Sequence, residues 1–284
     1  MNIGLVLSGG MAKGALQIGA LKALNEYIPR EEIKFISCAS IGVLNGYAYL
    51  MNRLDEAEEM WRIACSDDTR QFISQILRSS LLQKDIKELY KQGDEVDKDF
   101  YVTLLDMKHE SIVYKNMKGV RSGHLPQYLK ASVAMPLYNK AVKVGNISYY
   151  DGAMVDNIPV YPLMAHDLDY VVCIYFDEHN YRFENTEFDN RALQITFPVE
   201  NVLKQSMVFY QDSIENMLEK GYNHTKYLLN AMLGDRYDDL DYVYQSIQYR
   251  KAEMKDSKLR ISGDMIVTNI NKVAQKLARR KIVV

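Results

Sequence analysis

Cysteine is scarce in this chain: Cys38, Cys65 and Cys173 stand far apart and show no metal-ligand spacing. An odd, sparse set argues for reduced thiols in a cytoplasmic setting rather than a disulfide framework. No run approaches the roughly 20 apolar residues that a membrane span needs. The first residues, Met1 to Leu7, lack the basic lead and the apolar length of a signal peptide. A soluble, cytoplasmic protein is therefore expected. Internal repeats and low-complexity linkers are also missing. Histidine is thinly spread, and none of His109, His124, His166, His179 and His224 lies in a recognisable catalytic turn. What is present is apolar mass. At 284 residues and 48% apolar, the chain can bury a full core in one large domain, or in one domain with an appendage.

The net charge of −2 conceals an asymmetry: residues 250–284 hold ten Lys/Arg against three Asp/Glu, a charge of +7, which leaves −9 on the rest. Within this basic tail, Ile266, Ile270, Val273 and Leu277 fall at helical spacing. The stripe suits packing on the main body. The charge reads either as a solvated helical face or as an attraction to anionic lipid, worth on the order of 1 kcal/mol per basic group near a membrane.

Apolar runs and helical patterns alternate along the chain. Strands are expected at Ile3–Leu7 and Ile33–Cys38, each followed by a helix, at Ala15–Tyr27 and Ile41–Leu50. Strand–helix–strand–helix at this spacing implies βαβ crossovers, hence an α/β fold with a parallel-rich central sheet flanked by helices. Residues 55–92 read as helical. Further strands are expected at Phe100–Asp106 and Ser111–Lys115, at a pair within Ala141–Tyr150, and at Tyr170–Phe176. From Glu200 onward the pattern is mainly helical.

Three segments carry chemistry. Ser8-Gly9-Gly10-Met11-Ala12-Lys13-Gly14 closes the first strand and opens the first helix, so its backbone N–H groups point at whatever sits before the helix. A P-loop would need Gly-Lys-Ser/Thr at Gly14, where Ala15 and Leu16 follow instead. A dinucleotide fingerprint would need a glycine at Met11. The other reading is an oxyanion hole built on Gly10 and Met11, and the loop alone does not decide between them. Ser40 sits on the second strand-to-helix turn between small neighbours, Ala39 and Gly42, as a nucleophile on a tight turn requires. Taken alone, it would serve as a helix N-cap. A proton acceptor is also needed. Asp151, at a strand end before Gly152, is one candidate, and a triad through His124 or His166 is the other. A lone aspartate ionises near 3.9 in water and must be desolvated to act as a base.

Together these segments resemble the patatin-like phospholipases, serine lipid acyl hydrolases that use a Ser-Asp dyad. Leu7 to Ala15 is similar to the family's glycine-rich loop, and Cys38-Ala39-Ser40-Ile41-Gly42 with Leu44-Asn45-Gly46 to its nucleophile elbow. The block Tyr150-Asp151-Gly152-Ala153-Met154-Val155-Asp156-Asn157-Ile158-Pro159-Val160 resembles its aspartate block. The segments Ala131–Pro136 and Ile214–Leu229 are also similar to family stretches. The likeness covers residues 1–230 and leaves 231–284 as a helical basic extension.

The resemblance implies Ser40 as nucleophile, Asp151 as base and the N–H groups of Gly9, Gly10 and Met11 as the oxyanion hole, supported by Lys13, Gly14, Gly42 and Gly152. It implies a lipid ester substrate, with no metal, cofactor or nucleic acid, while the charge of the basic tail, which has no family counterpart, points to peripheral contact with an anionic membrane. Two positions depart from the pattern. Met11 replaces a loop glycine, where a positive φ would be strained. Cys38 replaces the first glycine of the elbow. The alternative is a weak or inactive relative that keeps the fold to bind lipid or a partner.

Overall fold

The computed structural model describes residues 1–63, 86–136, 139–177, 180–197, 211–254 and 257–260. The basic tail beyond residue 260, with its helical stripe, and the stretch 64–85 of the expected helical region lie outside the described residues.

Ile3–Leu7 forms β1, and all five of its residues are buried. Side chains alternate across a strand: Ile3, Leu5 and Leu7 enter one core cluster, whereas Val6 enters a second. Tyr170–Tyr175, β7, divides in the same way, with Val172 and Ile174 on one side and Val171 and Cys173 on the other. Both faces of the sheet centre are therefore covered, as its continuous apolar runs require.

The first core lies under α1 (Gly14–Tyr27), α2 (Ile41–Leu50), α6 (Gln211–Met232) and α7 (Leu240–Glu253). Helices α1 and α6 cross at backbone contact. A methyl group on Gly19 would lie 2.0 Å from the Leu218 carbonyl oxygen, and one on Gly221 2.0 Å from that of Leu16. The expected boundary between residues 230 and 231 falls inside α6, and α7 supplies Val243 and Ile247 to the same core.

The strand order is β5-β6-β3-β2-β1-β7-β9, where β2 is Ile33–Cys38, β3 Asp99–Asp106, β5 Val142–Val144, β6 Ile147–Asp151 and β9 Ala192–Thr196, while β4 (Ser111–Asn116) pairs with β3. Strands β3, β2, β1, β7 and β9 run parallel, β4 and β6 run antiparallel to β3, and β5, antiparallel to β6, runs with the parallel set. One detail sets up the site. β4 pairs with β3 from Tyr101 to Asp106 and so occupies one whole edge of it. β2, ending at Cys38 opposite Val102, and β6, ending at Asp151 opposite Leu104, must then share the other edge. They approach from opposite directions and stop on either side of Thr103. The Thr103 hydroxyl donates to the Cys38 carbonyl at 2.9 Å and closes the junction.

Of the helical region expected over 55–92, α3 (Leu54–Ile63) and residues 86–89 are helical, 64–85 lie outside the described residues, and the helix ends at residue 89 rather than 92. It stops there because Asp94 accepts from the Lys91 amide and from both guanidinium nitrogens of Arg53, which holds a turn in place of a further helical turn. Strands β8 (Asn180–Phe183) and β9 were not expected. The described residues after Glu200 are mainly helical, as expected, with Ser257–Arg260 added as a short strand, β10, parallel to β8.

Candidate active site

Leu7 pairs with Cys38 on one side and Ile174 on the other, so β1, β2 and β7 end level with one another. The loops that leave them gather at the carboxyl edge of the sheet, where α/β proteins bind their ligands.

Ser40 is the single residue between Ala39 and α2, with φ 51° and ψ −130°. Positive φ in a side-chain-bearing residue costs of order 1–3 kcal/mol and persists only where its surroundings enforce it. Here Ala39 N donates to Leu7 O at 3.0 Å, and the amides of Gly42 and Val43 turn back onto the carbonyls of Ala39 and Ser40. Gly42 is required by close approach, since a Cβ there would lie 2.7 Å from the carbonyl oxygens of both Leu7 and Ser8. The Ser40 side chain does not cap α2. Cys38 is tolerated because Gly46 leaves room for it; a Cβ on Gly46 would meet Cys38 Sγ at 2.6 Å.

The Ser40 hydroxyl lies instead beside Asp151, which ends β6. Asp151 is 2% exposed, and burial pushes its carboxyl up from 3.8 to about 7, against the opposing pull of the Ser40 hydroxyl and the Ala153 amide. Ala153 N donates to Oδ1 at 2.8 Å, and the Asp151 amide donates to Ala134 O at 2.8 Å. Gly152 packs on the β3 backbone, where a Cβ would sit 2.7 Å from Leu104 N. A carboxyl held near 7 is about half ionised at neutral pH, so it can both take and return a proton.

The glycine loop lies against this pair. A Cβ on Gly9 would approach Ser40 Cβ to 2.8 Å, and one on Gly10 would enter the Phe176 ring at 2.3 Å. Met11 has φ 52°, the strained geometry expected where a side chain replaces glycine. Gly9 N–H donates to Asn157 O at 3.3 Å and so differs from its neighbours. Among the described residues, the N–H groups of Gly10 and Met11 have no acceptor. Lys13 is 6% exposed, its amine 5.5 Å from the centre of the Phe176 ring; burial lowers its pKa and the charge of Asp177 opposes that. Gly14 begins α1 beneath Trp61.

The described histidines are elsewhere. His166 stacks on Phe35 at 4.1 Å and shares a 2.8 Å hydrogen bond with Tyr101, and His124 sits at the exposed start of α4 (Leu125–Ala131). His109 pairs with Asp106 and His224 with Thr196 O, while His179 lies outside the described residues. Sequence reasoning missed Thr103, Phe176 and Asn157. Only Asn157 left a trace, as a polar residue six positions beyond Asp151 in the aspartate block.

These features define an α/β protein with a serine–aspartate pair at the carboxyl edge of its sheet, under a glycine-rich loop. A family model described as patatin-like phospholipase matches residues 5–164, which hold the loop, Ser40 and Asp151. The chain belongs to the patatin-like phospholipase family. It is 31% identical over 187 residues to a protein named lysophospholipase NTE1 from Cryptococcus neoformans var. neoformans serotype D, covering 61% of this chain and 11% of that protein. A protein of the same name from Mycosarcoma maydis is 29% identical over 179 residues, 58% of this chain and 9% of that protein. The chain thus spans about a tenth of the length of the curated relatives it matches. Among solved structures, VipD from Legionella pneumophila aligns with TM-score 0.45 and 13% identity over 88% of this chain and 74% of that one. Among the described residues, no helix is long and apolar enough to cross a membrane.

Proposed function

We propose that the protein is a lipid acyl hydrolase that cleaves phospholipid or other long-chain acyl esters through an acyl-Ser40 intermediate. The observation that carries this reading is Ser40, strained at its backbone, beside a buried Asp151 whose carboxyl is pushed up to about 7. Membership of the family and relatives named lysophospholipase support a lipid ester as substrate.

Asp151 takes the Ser40 proton as Oγ attacks the ester carbonyl, and the resulting oxyanion is met by the N–H groups of Gly10 and Met11. Collapse returns the proton from Asp151 to the departing alkoxide, which leaves as alcohol or lysolipid. Water, giving its proton to Asp151, then attacks acyl-Ser40. The second intermediate expels Ser40, which recovers the proton, and the fatty acid departs. A carboxylate near 7 resolves the weakness of an ordinary aspartate as base, because its proton affinity matches that of an imidazole. The +7 charge of residues 250–284 would favour an anionic lipid surface.

The test is labelling by a fluorescent fluorophosphonate together with turnover of a medium-chain ester, in the wild type, Ser40→Ala and Asp151→Asn. Loss of both signals in the Ser40 variant, and of turnover in the Asp151 variant, is the expected result. A folded wild type that neither labels nor hydrolyses any acyl ester overturns the proposal.

A further inference from the structure

The side chain of Asn157 is committed to a single backbone group. Asn157 Nδ2 donates to Gly9 O at 3.2 Å, while Gly9 N donates back to Asn157 O at 3.3 Å. The pair clamps the glycine loop onto the segment that follows Asp151, across 148 residues of sequence. The contact is tight, because a Cβ on Gly9 would lie 2.5 Å from Asn157 Oδ1.

The two bonds act on different peptide units. Gly9 N–H belongs to the Ser8–Gly9 peptide and is consumed by the clamp. Gly9 C=O and Gly10 N–H belong to one planar trans peptide, in which they point in opposite directions. Holding Gly9 O therefore aims Gly10 N–H away from Asn157. Without the side-chain donor, little else holds this plane: Gly10 O already serves Lys13 N, and Met11 beyond it sits at φ 52°, so relaxation of the loop would release strain rather than meet it.

We propose that Asn157 is a positioning residue that orients the Gly9–Gly10 peptide so that Gly10 N–H faces the oxyanion formed at Ser40. The inference rests on the hydrolase reading above. It assigns Gly9 to the clamp and leaves Gly10 and Met11 as donors.

The variants are Asn157→Ala, which removes the side-chain bond and keeps the main-chain one, and Asn157→Asp, which keeps the shape and replaces the donor by a carboxylate. For each, kcat and KM on a soluble p-nitrophenyl ester, the fluorophosphonate labelling rate and Tm are measured. Losing a whole oxyanion donor costs roughly 10²–10³ in rate, so misaiming one should lower kcat by roughly 10- to 100-fold in Asn157→Ala. KM should stay within about twofold and labelling should fall in proportion to kcat, because both reactions need the same oxyanion contact. Asn157→Asp should be slower still above neutral pH and should regain activity relative to the wild type as the pH falls and the new carboxyl can donate. Wild-type kcat and labelling in either folded variant would overturn the proposal, as would a loss that appears only in KM or only as lowered Tm. If Asn157→Ala fails to fold, Asn157→Asp and its pH profile decide alone. Failure of the hydrolase reading looks different, since the wild type would then neither label nor turn over.

Discussion

Asp151→Asn should stabilise the protein while inactivating it, by an amount that depends on pH in a defined way. The wild-type carboxyl ionises near 3.8 when unfolded and near 7 when folded, because burial disfavours its charged form. Between these values the folded state holds a proton that the unfolded state releases, so wild-type stability falls as pH rises. At roughly 1.4 kcal/mol per pH unit, the loss grows from about 2 kcal/mol at pH 5 to about 4 kcal/mol above pH 7, where it levels off. Asparagine carries no such cost. Its Oδ1 can still accept from Ala153 N, and its amide can donate to Ser40. The assay is urea unfolding of wild type and variant from pH 4.5 to 8.5. The variant should gain on the wild type through the window from 4 to 7 and hold a constant advantage beyond it. An advantage that does not change with pH, or that shrinks as pH rises, would refute the raised carboxyl and with it the argument for Asp151 as an effective base.

Two further outcomes follow from the same geometry. The pH profile of kcat/KM should rise to a plateau with an apparent pKa near 7, set by Asp151 in the free enzyme, and stopped-flow ester hydrolysis would detect a midpoint nearer 4 if burial had no such effect. Gly221→Ala should destabilise the fold by about 3 kcal/mol or more, measured by denaturant midpoint, because its methyl group would meet backbone at 2.0 Å where α1 and α6 cross and no flexible side chain can yield.

The front of the chain was readable because local signals there agree with the global fold. Ile3–Leu7, Ile33–Cys38 and Ile41–Leu50 form at their expected limits, since the first is wholly apolar and the other two are apolar-rich segments joined by a tight strand-to-helix turn. β8 was hidden because Asn180-Tyr181-Arg182-Phe183 is short and half polar. That strand is held by Gln194, which accepts from Tyr181 N and donates to Tyr181 O. Ser40 and Asp151 could be proposed from spacing and resemblance, but their meeting depends on β2 and β6 sharing one edge of β3, which is a property of pairing rather than of composition. The withdrawal of Gly9 from the free donors was equally invisible, because its partner is a main-chain carbonyl that any residue could supply.

The end-to-end arrangement of β2 and β6 along β3 also governs when in the life of the chain reactivity can arise. Ser40 leaves the ribosome more than a hundred residues before Asp151, and β1 and β2 can pair without waiting for it. Until β6 docks, the serine hydroxyl has no carboxylate to receive its proton. Under the proposed mechanism, a half-made chain is chemically silent, because the sheet has to close before Ser40 can attack an ester. On that proposal acyl transfer is tied to completion of the fold, with β6 as the strand that switches it on.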